Sequence, residues 1–278
     1  MINGSRFKLN VEIARQSRLA QEIARGQVEV ATGKKILAPS DDPIGAARVA
    51  SISRSEADGA TWLRNITTAS ALAARSDTVL TSVALGVDRA KELMIKAATG
   101  TTSASDRSII AAELRGIAEE LAASRETRDP RGEPLFRTNG VLEVPVSAGL
   151  RIAPVATRAA IFDAPLDLVA VIEAAAAAAT EADPAARQAA TRASLTALEG
   201  AAAQVATARA DQGIRADRLD KLRDRLEESA IQLTEERTAI EGANIPEAIT
   251  RIQARMTNLQ AAQAIFARAN KTSLFDLI

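Results

Sequence analysis

Ile245-Pro246-Glu247-Ala248-Ile249-Thr250-Arg251-Ile252-Gln253-Ala254-Arg255-Met256-Thr257-Asn258-Leu259 places apolar side chains at Ile245, Ile249, Ile252, Met256 and Leu259, in steps of four, three, four and three. The rhythm continues through Gln263 to Phe266. That spacing sets one stripe along a helix, the pattern of a helix laid against another helix. At the opposite end of the chain Leu9, Ile13, Gln16, Ala20, Ile23, Gln27 and Val30 repeat it. Seams at both termini point to a molecule built to associate rather than to catalyse. Gln16, Gln27 and Gln263 interrupt the seams with amides, which either set register and oligomeric state or face water where the helix curves.

Working inward, Gly33 is placed to close a first helix over about residues 5–32. Ile36-Leu37-Ala38-Pro39-Ser40-Asp41-Asp42-Pro43 then reads as a fixed turn. Asp42 is suited to cap the next helix, with Pro43 at the first helical position where an amide proton is not missed. From Pro43 to about Thr99 a seam runs through Trp62, Ile66, Ala69, Ala73, Ser76, Leu80, Val83, Val87, Ala90 and Met94. It predicts a rod on the order of 85 Å long, in which Trp62, Ile66 and Leu80 are packing anchors. A polar joint follows, and Asp106 opens a helix carrying Ile110, Leu114, Ile117 and Leu121, ended by Asp129-Pro130-Arg131-Gly132.

Residues 133–165 change character. Val141, Glu143, Val144, Val146, Leu150, Ile152 and Val155, interrupted by Gly140, Pro145, Gly149 and Pro154, predict short strands. A short helix is predicted over about 166–179. Asp183-Pro184 repeats the cap-plus-proline start and opens a second long helix to near Gly242, with a seam broken by Arg209, Gln212, Arg223 and Arg237. Asn244 and Glu247 have capping-box spacing ahead of the terminal helix. The fold class expected is mainly α: an elongated antiparallel long-helix bundle with a small β-rich insertion and pairing terminal helices. Its divisions are 1–42 and 243–278 for an inner coiled-coil part, 43–132 and 166–242 for the helical rods, and 133–165 for the insertion.

Composition narrows the function. The 278 residues hold no cysteine and no histidine, so thiol nucleophiles, disulfides and histidine-dependent sites are excluded. Lys+Arg and Asp+Glu are both 35, which leaves no global field for a polyanion, and nucleic acid is not an expected partner. With one tryptophan, five phenylalanines and no tyrosine, a wide core is not expected either. Ala174 to Ala179 is apolar but too short to span a bilayer, and the start of the chain lacks the apolar run of a cleaved signal peptide. Asp41 and Asp42 are adjacent carboxylates, read as turn and cap rather than acid–base pair. Gly33-Lys34-Lys35 lacks the spacing of a phosphate loop. The charges of 215–228 read as a solvated face, or as ions that set register against neighbours. No catalytic, cofactor or metal site is expected.

Ala31-Thr32-Gly33-Lys34-Lys35-Ile36-Leu37-Ala38-Pro39-Ser40-Asp41-Asp42-Pro43-Ile44-Gly45-Ala46-Ala47 resembles the N-terminal signature of the flagellin superfamily, with Ser40-Asp41-Asp42-Pro43 nearest the form found in its hook–filament junction branch. Ser105-Asp106-Arg107 and Asn139-Gly140 fall where relatives start their next helix and their variable middle. The tail, Ala261-Ala262-Gln263-Ala264-Ile265-Phe266 through Ser273-Leu274-Phe275-Asp276-Leu277-Ile278, resembles the paired C-terminal signature. The resemblance implies a structural protein of the extracellular bacterial flagellum, serving motility and exported through the type III apparatus without a cleaved signal peptide. It implies terminal segments, including Leu274 and Phe275, that pair and contact other subunits. The implied partners are further copies in a ring at the junction, a neighbouring hook-associated protein, flagellin, and an export chaperone before secretion. A short filament-forming flagellin is the alternative within the same superfamily.

Overall fold

The computed structural model describes the backbone of residues 2–99 and 102–275 and the side chains of 7, 9–99 and 102–268. The described chain is mainly helical: α1 (Ile2–Thr32), α2 (Pro43–Ala98), α3 (Ala104–Arg125), α4 (Leu168–Thr180), α5 (Pro184–Glu241) and α6 (Ile245–Phe275), with β1 (Val144–Ser147) and β2 (Leu150–Ile152) between α3 and α4. It divides into two compact units, Met1–Ala57 with Ala230–Ile278, and Asp58–Ser229. Both long helices contribute to each.

The helix starts follow side-chain chemistry. Asp42 Oδ1 accepts from the Gly45 N–H at 2.9 Å, and Asp183 Oδ2 accepts from Ala186 N–H at 2.7 Å. Asp167 Oδ1 holds the Val169 and Ala170 amides at the start of α4. Helix α3 starts earlier than the expected Asp106. Ser103 is the cap, its Oγ accepting from Asp106 N–H at 3.1 Å, and Asp106 closes a capping box from the third helical position.

In the unit Asp58–Ser229, α2 and α5 run antiparallel. Lys91 meets Glu199, Ser76 meets Gln212 and Ser70 meets Arg223, so one numbering rises as the other falls. Helices α3 and α4 pack on each other. One continuous core joins Leu80, Val83, Val87 and Met94 of α2 to Leu114 and Leu121 of α3, Ile172 of α4 and Leu198 of α5. The expected α2 seam from Ile66 to Met94 is buried throughout, whereas Trp62 is half-buried.

The insertion departs from the expected run of strands. Only β1 and β2 form, as an antiparallel hairpin pairing Val144 with Ile152 and Pro145 with Arg151, with a register shift before Ser147–Leu150. Val141 and Val155 lie outside it. The segments flanking the hairpin instead supply core. Leu135, Phe136, Ile161 and Phe162 are buried, and the two rings meet edge-on with centroids 5.2 Å apart. Ile161 and Phe162 sit in a one-turn π-helix, Ala159–Asp163. The core is therefore broader than the alanine-rich composition suggests, because large side chains converge from a segment that has little regular structure.

Two buried glutamines of α5 hold this segment. Gln204 accepts from Leu166 N–H at 3.0 Å and donates to the Ile161 and Leu166 carbonyls. Gln212 donates to the carbonyls of Pro154 at 2.9 Å and Ala73 at 3.3 Å, and accepts from Ser76 Oγ. The seam position at Gln212 that looks like an imperfection is a staple between α2, α5 and the insertion, pairing the Pro154 carbonyl and adding a second bond to the helical carbonyl of Ala73.

Candidate assembly surface

The unit Met1–Ala57 with Ala230–Ile278 contains the terminal helices, and α1 and α6 lie antiparallel within it. Glu29 pairs with Arg251 at 2.7 Å and Glu22 with Arg255 at 3.1 Å, so α1 numbers fall as α6 numbers rise. Between the two ion pairs Gly26 lets the backbones approach. A Cβ built there would stand 2.7 Å from Ile252 Cγ1. This close approach explains a glycine in mid-helix, where it would otherwise cost about 1 kcal/mol relative to alanine.

The pairing uses a narrower stripe than the seams suggest. On α1 the covered positions include Gln16, Leu19, Glu22, Ile23, Gly26, Glu29 and Val30, while Leu9, Ile13, Ala20 and Gln27 stay exposed. On α6 Ile245, Ile252, Leu259 and Phe266 are half-buried and Ala248 is buried, while Ile249, Met256 and Gln263 are exposed. Ile23 and Ala248 are the buried apolar residues of the described parts of α1 and α6. The side chains of Leu274 and Phe275 lie outside the described residues. Val30, Ala31, Ile249 and Ile252 line an open apolar groove rimmed by Gln27 and Gln253. Phe7, at 70% exposure, Val11 and Ile265 extend the bare apolar surface along both helices. Exposed apolar side chains thus stand on both helices beside that groove.

The turn that joins α1 to α2 is fixed by main chain and charge. Gly33 takes φ +68°, the left-handed conformation that ends α1. Its carbonyl accepts from Ala243 N–H at 2.9 Å, and Lys35 N–H donates to the Glu241 carbonyl at 2.8 Å, so the two connections form a short antiparallel bridge. Asp41 Oδ2 accepts from the Leu37 and Ala38 amides at 3.0 Å, and its other oxygen pairs with Arg25. Those amides first, then Arg25, hold the Asp41 carboxyl below the usual aspartate value. Burial pushes Glu241 upward, but Lys34 and Arg237 outweigh it and leave that carboxyl lowered. Glu236 is lowered by its two-pronged contact with Arg48. Ser40 is exposed in the turn and Pro43 begins α2.

Reading the sequence missed Gly26 and the two flanking ion pairs. A glycine within a helical pattern, with glutamates at Glu22 and Glu29 on the same face, was the available signal. Among the described residues no group of three or more acidic side chains is gathered as metal ligands, and no helix is long and apolar enough to cross a membrane.

Comparison with known proteins agrees with this arrangement. Residues 11–139 match the bacterial flagellin N-terminal helical region and residues 195–278 the bacterial flagellin C-terminal helical region. Flagellar hook-associated protein 3 of Escherichia coli (strain K12) is 30% identical over 108 residues, covering 39% of this chain and 34% of the relative. Flagellar hook-associated protein 3 of Salmonella typhimurium is 31% identical over the same share of each. The matched part is thus about a third of these relatives' length. Among solved structures, a flagellar hook-associated protein from Vibrio parahaemolyticus superposes with a TM-score of 0.66 at 21% identity, covering 73% of this chain and all of that one. The flagellar junction protein FlgL from Legionella pneumophila gives 0.59 at 10% identity, covering 70% of this chain and all of the other. At those identities the likeness is one of fold.

Proposed function

The chain belongs to the flagellin superfamily, and from that premise we propose that it is a structural adaptor of the bacterial flagellum, joining the hook-associated region to the flagellin filament. The observation that carries this reading is the pair α1/α6, whose two helices cover only one stripe of each other and leave Leu9, Ile13, Ile249 and Met256 bare. Covering an exposed Leu or Ile completely contributes about 1.5–3 kcal/mol. These four stand 38–53% exposed, so a neighbour that covered the remainder would contribute about half of that per side chain. Assembly is then the source of order for the termini, and no chemical step is involved.

In this reading the copies associate in a ring through Leu9, Ile13, Gln16, Ala20, Ile23, Gln27 and Val30 of α1 and the α6 seam from Ile245 to Phe266, extended by Leu274 and Phe275. One side of the ring meets another hook-associated protein and the other the first flagellin layer. Before type III export a chaperone covers the same apolar faces. Deleting the gene is expected to give cells whose hooks form but whose filaments do not stay attached. Normal hooks bearing stable filaments would overturn the adaptor role. Both matching family regions are described as flagellin helical regions, and this favours one competing reading, a short filament subunit. Polymerisation of the purified chain into long tubes would decide for it.

A further inference from the structure

We propose that Asn139-Gly140 is a site of spontaneous deamidation in the folded protein, converting Asn139 to aspartate and isoaspartate. The two residues lie in the irregular segment between α3 and β1, and both are exposed. Gly140 has φ +69° and no Cβ to shield the main-chain nitrogen on either side. Neither the Asn139 carboxamide nor the Gly140 N–H takes part in a hydrogen bond of the described structure. The segment is anchored just before the pair, where Arg158 N–H donates to the Arg137 carbonyl at 3.0 Å. It is anchored again after it, where β1 pairs with β2. The fold thus holds the flanks and leaves the reacting atoms free.

The step balances without an external catalyst. The Gly140 nitrogen attacks Asn139 Cγ, a C–N bond forms, the Cγ–Nδ2 bond breaks, and ammonia leaves with the proton given up by the attacking amide. One water then opens the resulting five-membered imide. Opening at one carbonyl gives aspartate, and opening at the other gives isoaspartate, which lengthens the main chain by one methylene. Either product adds a carboxylate and moves the formal net charge from zero to one negative. Because the attacking amide must lose its proton, the rate rises with pH.

The sequence isolates the event. Arg137 and Arg151 bound a tryptic peptide, Thr138–Arg151, in which Asn139 is the sole asparagine. The full native chain, incubated at mildly acidic and mildly alkaline pH and then digested, is expected to show this peptide gaining about 1 Da, as two isomers, faster at the alkaline pH. Its rate should lie within about tenfold of that of a free synthetic peptide of the same residues, a barrier difference of no more than about 1.4 kcal/mol. Asn139→Gln should abolish the change, and Gly140→Ala should slow it by more than about tenfold. Native protein that keeps Asn139 intact while the free peptide converts would overturn the proposal. So would a product containing aspartate with no isoaspartate.

Discussion

Phe162 and Ile249 show how differently the two units use apolar side chains. Phe162 is fully buried among helices α2 to α5 of one unit, and Ile249 stands 41% exposed on α6 of the other. Both units are built from long helices with three-four seams. In Asp58–Ser229 the α2 seam finds α3, α4, α5 and the insertion inside the same molecule. In the other unit α1 and α6 find chiefly each other, and a two-helix pair covers one stripe of each partner. A seam in the sequence therefore records that a helix will be covered, without recording by what.

The sharpest way to break that contrast is to truncate both residues. Phe162→Ala should lower unfolding free energy by about 3–5 kcal/mol, read by denaturant melts of the monomer. Ile249→Ala should stay within about 0.5 kcal/mol in the same assay while weakening assembly. Equal losses from the two variants in the monomer would mean α6 is already covered.

A smaller effect is expected at the close approach of α1 to α6. Gly26→Ala pushes a methyl against Ile252 and should destabilise the pair by about 1–3 kcal/mol. Hydrogen exchange should quicken in α1 and α6 and stay unchanged in α3 and α4. Protection lost evenly across both units would show that the units do not unfold separately.

The smallest effect is that of acid. Asp41, Glu236 and Glu241 are all held below their ordinary values of 3.8 for Asp and 4.5 for Glu. A lowered carboxyl stabilises the fold at pH above its unfolded value, and that contribution disappears as pH falls through its folded value. Exchange at residues 33–42 and 241–244 should therefore rise as pH drops below about 4.5, before the apolar core of Asp58–Ser229 responds. Simultaneous loss of both would break the comparison from the other side.

The parts of the fold readable in the sequence were those that short-range chemistry dictates. Asp42 and Asp183 announce helix starts because a carboxylate beside free amides has little else to do there. Ile66 to Met94 announce a stripe by their three-four spacing, and the structure buries it. Ser103 was overlooked for Asp106 because both belong to one capping box and spacing alone does not rank them. Phe136 and Phe162 were not foreseen as core because their segment has neither helical nor alternating period. Gln204 and Gln212 were unreadable as staples because the carbonyls they serve, on Ile161, Leu166, Ala73 and Pro154, are brought to them only by tertiary structure. On α1 and α6 the three-four spacing could be read, but the division between positions covered within the pair and positions left exposed could not. That division follows the line of contact marked by Gly26 against Ile252 and by the Glu22–Arg255 and Glu29–Arg251 pairs.

The bridge between the two connections carries a consequence for how the molecule forms. Lys35 reaches the Ala239 carbonyl across 204 positions of chain, and the Gly33–Ala243 and Lys35–Glu241 bonds close the same span. Loops that long are costly to close from an open coil and cheap once the intervening helices have folded back on themselves. The bridge between Lys34 and Gly242 is therefore expected to close after the intervening helices have packed.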